Sequence, residues 1–121
     1  MDDDKYFNSE FLNFEIDLFE KTNILFHELT NKDNSEIAMI EFRCSEIFTL
    51  KSNLALFISI RYEFANSDIS SLLTYWDNLF HEIKSIISND DRNTSWLSSK
   101  FEHYKEQHEL VDDMFRVIKS N

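Results

Sequence analysis

The sequence predicts an all-α fold, an antiparallel four-helix bundle. Three observations carry the prediction. Apolar residues recur at helical spacing almost throughout the 121-residue chain, three polar clusters interrupt them, and neither glycine nor proline occurs. The clusters span 30–35, 66–68 and 88–94 and end in Ser35, Asp68 and Thr94. Such side-chain oxygens accept hydrogen bonds from the free N–H groups of a new helix. Connections this short join successive helices antiparallel.

The first helix runs from about Ser9 to Leu29. Phe11, Phe14, Leu18, Leu25 and Leu29 form its seam, with Leu12, Phe19 and Phe26 beside it. Residues 1–8 read as a frayed end anchored by Tyr6 and Phe7, and residues 9–121 as one helical domain. Asp33 and Glu36 have the spacing of a capping box. The second helix starts near Ser35 and carries Ile37, Ile40, Cys44, Ile47, Leu54, Phe57 and Ile58. If continued to Ala65 it would be about 46 Å long; otherwise Lys51-Ser52-Asn53 breaks it. Residues 53–60 also have the composition of a short buried strand, but no other segment offers that strand a partner, and helix is the preferred reading. The third helix, from about Asp68 to Ile87, lines up Ile69, Leu72, Trp76, Leu79, Phe80, Ile83 and Ile87. The fourth, from about Thr94 to Lys119, places Leu97, Phe101, Tyr104, His108, Val111, Phe115 and Ile118 in steps of four and three.

The missing glycine excludes phosphate-cradling P-loops, dinucleotide loops, nucleophile elbows and standard EF-hands, all of which need its backbone freedom. No apolar run approaches the ~20 residues that span a bilayer, and the start MDDDKYF lacks the layout of a signal peptide. Cys44 is the sole cysteine, with no partner for a disulfide or a zinc cluster. A cytoplasmic setting is the expectation. A di-metal carboxylate bundle needs Glu-x-x-His on two helices. The residues three before His27, His81, His103 and His108 are Ile24, Asn78, Lys100 and Lys105, so the motif is absent. No metal, no cofactor and no catalytic residue is expected, and the protein does not read as an enzyme. His108 reads as a core-edge histidine satisfied by a hydroxyl or a carbonyl, and Cys44 as core filling.

Charge is more informative. Twenty-three acids face twelve Lys and Arg, a net charge of −11. That disfavours direct binding to nucleic acid or to an anionic membrane and points to basic partners. The acids are concentrated at the two ends. Asp2, Asp3, Asp4, Glu10, Glu15, Asp17 and Glu20 stand against Lys5, and Glu102, Glu106, Glu109, Asp112 and Asp113 against Lys105. Glu102, Glu106, Glu109 and Asp113 make one stripe. First and last helices are neighbours in an up-down bundle, so the two segments are expected to merge into one negative surface. The candidate partner-binding residues are Glu10, Asp17, Glu102, Glu106, Glu109, Asp112, Asp113 and, as an aromatic anchor, Trp96. Core filling is nevertheless the preferred reading of each of Trp96, Tyr75 and Trp76, since aromatic residues dominate core burial as well.

In size, acidity and helicity over its whole length, the chain resembles the small acidic immunity proteins of bacterial contact-dependent inhibition and bacteriocin systems. The resemblance implies tight binding to a cognate basic, nuclease-type toxin domain, over its active site or beside it, in the producing cell's cytoplasm. Two other readings remain open. One is a phage-type inhibitor or nucleic-acid mimic acting on a nucleic-acid-binding effector. The other is a homo-oligomeric structural module whose seams a second copy completes; the sequence leaves monomer and homodimer open.

Overall fold

The computed structural model describes residues 2–30, 37–61, 66–89 and 95–120. They form four helices: α1 (Asp2–Thr30), α2 (Ile37–Ile60), α3 (Ser67–Asn89) and α4 (Ser95–Ser120). No strand occurs among the described residues. The architecture is the antiparallel four-helix bundle. α1 packs against α2 on one side and α4 on the other, and α4 packs against α3. A Lys51–Asp77 ion pair and a Phe48–Phe80 ring contact link α2 to α3 and close the ring. None of the described helices is long and apolar enough to cross a membrane.

α1 begins at Asp2, well before the Ser9 start read from spacing. Phe7 is an anchor there, half-buried against Phe57 with the Arg61 guanidinium over its ring, and the Tyr6 side chain lies outside the described residues. The core-facing row of α1 is Phe11, Glu15, Leu18, Thr22, Leu25 and Leu29, in steps of four and three. Two polar residues therefore occupy seam positions. Phe14 is displaced from the expected seam to the flank, where it meets Phe57 of α2. Phe19 and Phe26 take the opposite flank and meet α4; Phe26 stacks on Phe101 with ring centroids 4.1 Å apart.

α2 passes through Lys51-Ser52-Asn53 without a break and keeps residues 53–60 helical. Ile40, Ile47 and Leu54 are buried, with Cys44, Leu50, Phe57 and Ile58 half-buried beside them. Docking of that row on α1 outweighs the local strand preference of Leu-Phe-Ile, since tertiary packing supplies most helical stability. The helix closes at Ile60, where Arg61 N–H donates to Ile58 O at 3.2 Å. Ala65, the Asp33–Glu36 capping pair and residues 90–94 lie outside the described residues.

Asn66 starts α3. Its Oδ1 accepts from the Ile69 N–H at 2.9 Å while its own carbonyl accepts from the Ser70 N–H at 3.0 Å, the geometry of an N-cap. Ile69, Leu72, Trp76, Leu79, Ile83 and Ile86 are buried, with Phe80 and Ile87 at the margin. On α4 the expected row holds from Leu97 through Phe115, every member buried. The Ile118 side chain lies outside the described residues. The α3–α4 seam is pinned at one end by Gln107 Nε2 donating to Asp68 O at 2.8 Å.

Candidate partner-binding surface

The expected adjacency of the two chain ends is present, since α1 and α4 are in contact. Their acids divide into two sets that sequence spacing did not separate, one inside the seam and one outside it.

Inside is Glu15, fully buried rather than part of a surface. His108 Nδ1 of α4 lies 2.5 Å from Glu15 Oε1, a hydrogen-bonded contact across the α1–α4 seam. The histidine partner is thus a carboxylate, not the hydroxyl or carbonyl expected. Phe19 covers the imidazole, stacked at 3.9 Å between centroids and 3° between planes. Burial pushes the Glu15 carboxyl above its ordinary value of 4.5; the His108 hydrogen bond and charge oppose this, and nearby Asp112 adds to it. Tyr104, fully buried, has its phenol held well above the usual value by burial and then by the Glu15 charge, with Thr22 acting the other way. Thr22 Oγ1 accepts from the buried Trp76 Nε1–H at 3.1 Å, which carries the polar row on to α3. Glu15 and Thr22 were legible as seam members from their four-and-three spacing with Phe11, Leu18 and Leu25. Only their polarity hid them.

Outside is the α4 stripe. Glu102, Glu106, Glu109 and Asp113 are all exposed. None of them makes an ion pair with a described residue. Asp112 leaves that set, because it is half-buried and close enough to Glu15 to affect its titration. Glu10 and Asp17 leave it too. They share a row of α1 with Phe14, which meets Phe57, and this row continues to Glu28, which takes an ion pair from Arg43 of α2 at 2.7 Å. Phe14 and Glu28 of that row meet α2, whereas Glu15, Phe19 and Phe26 meet α4. Among the α1 acids whose side chains are described, Glu20 is the exposed one.

Trp96 is 67% exposed near the start of α4, unlike Trp76, which is buried and stacked on Phe80. Its row continues through His103 and Leu110, both exposed, and Tyr75 of α3 reaches His103 at 6.0 Å between ring centroids. The outward side of α4 therefore carries a carboxylate stripe beside a sparse aromatic and apolar row. The Glu15–His108 pair lies under the Phe19 ring, inside the α1–α4 seam. Cys44 is half-buried, its thiol pushed up to about 11, first by burial and then by Glu41, with Lys84 opposing. It is protonated at neutral pH and a poor nucleophile. Among the described residues no three His, Cys, Asp or Glu gather as metal ligands. No protein-family model, curated protein or solved structure matches the chain.

Proposed function

We propose that this is an acidic helical binding protein of the immunity type, neutralising a cognate basic toxin domain in the cytoplasm by tight protein–protein contact and not by catalysis. The observation that carries the reading is the α4 face, where four exposed carboxylates at helical spacing lack any cationic partner among the described residues. Like charges one turn apart cost a helix a few tenths of a kcal/mol per pair. A cationic surface docked on them reverses the sign of that contribution and accelerates encounter by electrostatic steering. Trp96, exposed beside the stripe, has the character of an interface anchor.

The test is kinetic, on the cationic partner recovered by co-purification from the native host. Glu102→Lys with Glu106→Lys and Glu109→Lys should lower the association rate about tenfold or more at low salt and flatten its salt dependence. Trp96→Ala should act mainly on dissociation. Unchanged association by the triple variant would remove α4 as the docking face. Recovery of a nucleic-acid-binding effector that DNA or RNA displaces would favour the mimic reading instead.

A further inference from the structure

α2 has two apolar faces, and α1 covers only one. Opposite Ile40, Ile47 and Leu54 runs a second row, Met39, Phe42, Glu46, Thr49, Asn53, Leu56 and Ile60, in unbroken steps of three and four. Phe42 and Leu56 are each 63% exposed, Ile60 70% and Met39 49%. Exposed apolar side chains at seam spacing are the pattern of a helix packed on both sides. From these positions we infer that the outward row of α2 is a homodimer interface, in which α2 packs antiparallel against α2 of a second copy.

Two features select a second copy as the occupant. The first is symmetry. The row is apolar at both ends and polar in the middle, so a two-fold axis beside Thr49 sets Phe42 opposite Leu56 of the second copy, Met39 opposite Ile60, and Glu46 opposite Asn53. A two-fold interface requires such self-complementarity. Parallel pairing would instead set Glu46 against Glu46. The second feature is charge. Within a chain of net charge −11, α2 carries Glu41 and Glu46 against Arg43 and Lys51, and so is neutral. Two copies can meet there without the repulsion that opposes contact through α1 or α4, whereas a cationic protein finds little on α2 to attract it. The row from Met39 to Ile60 is about 32 Å long. A single helix pair of that length is small beside a standard interface of about 800 Å² per partner, so dimerisation should depend on concentration. This inference does not rest on the proposed function, which uses a different helix.

Sedimentation equilibrium of the full chain, over roughly 1–500 µM, reads the prediction as a rise from 14.6 kDa toward twice that mass. Phe42→Glu with Leu56→Glu should hold the monomer mass with an unchanged helical circular dichroism spectrum, because both sites are exposed. Phe42→Glu with Leu56→Lys places opposite charges across the axis and should restore the dimer. Thr49→Cys in a Cys44→Ala background should cross-link to itself on mild oxidation, a readout independent of the charge variants. A wild-type mass that stays at 14.6 kDa throughout overturns the assignment and leaves the row to a different protein. Dimerisation that survives Phe42→Glu with Leu56→Glu, or fails to return with Leu56→Lys, overturns this register.

Discussion

Glu15 and His108 each depend on the other for a hydrogen bond in a buried seam. Removing one partner of a buried pair leaves the other uncompensated, which costs about 3–5 kcal/mol, while replacing both with apolar residues is often neutral or stabilising. His108→Ala should therefore lower the stability measured by urea unfolding by about that amount, and Glu15→Leu with His108→Leu should match or exceed the wild type. The pH dependence of the Glu15 carboxyl follows from its upward displacement, caused first by burial. Well below the ordinary 4.5 it is protonated in both folded and unfolded chains and contributes no slope. As pH rises past that value the unfolded chain releases its proton first, so the contribution is a loss of stability, complete once the folded carboxyl has also ionised. Glu15→Gln keeps the shape and hydrogen-bonding capacity without this titration. Denaturant titrations from about pH 4 to 7 should show the variant gaining on the wild type as pH rises.

At the level of helices, Asn66 makes the one N-cap side-chain bond resolved at the start of α3, and Asn66→Ala should cost about 1 kcal/mol in urea unfolding, with Asn66→Asp near neutral. The helices differ in how far sequence alone revealed them. α3 and α4 were legible because their core-facing apolar residues follow four-and-three steps and the opposite faces are mostly polar. α1 was legible as a helix, and Phe11, Leu18, Leu25 and Leu29 of its expected seam are buried, but the seam's full membership was not. Phe14 on one flank and Phe19 and Phe26 on the other make three candidate seams, and the true row contains Glu15 and Thr22. Glu10 and Asp17 were grouped with the α4 acids from the charge of the two end segments, a signal that carries no rotation. α2 was ambiguous because residues apolar on both faces carry no periodic signal, and only its position in the ring separates the covered face from the open one.

For the molecule as a whole, net charge matters more than any one ion pair. At −11 the fold works against its own repulsion, and the uncompensated α4 stripe concentrates part of it. Raising NaCl from about 20 to 500 mM should therefore raise the thermal midpoint, as the Debye length shrinks below the spacing of the exposed acids. The Glu102→Lys, Glu106→Lys and Glu109→Lys variant should respond less. The order of packing around the ring is α2, α1, α4, α3, which sets α2 and α4 at opposite corners. Two chains joined back to back through one corner would hold both outer α4 helices clear of the join. With α4 as the docking face, such a particle would be bivalent: it would take up ligands in a two-to-two ratio, and on a surface crowded with targets its second attachment would gain from the first through effective concentration.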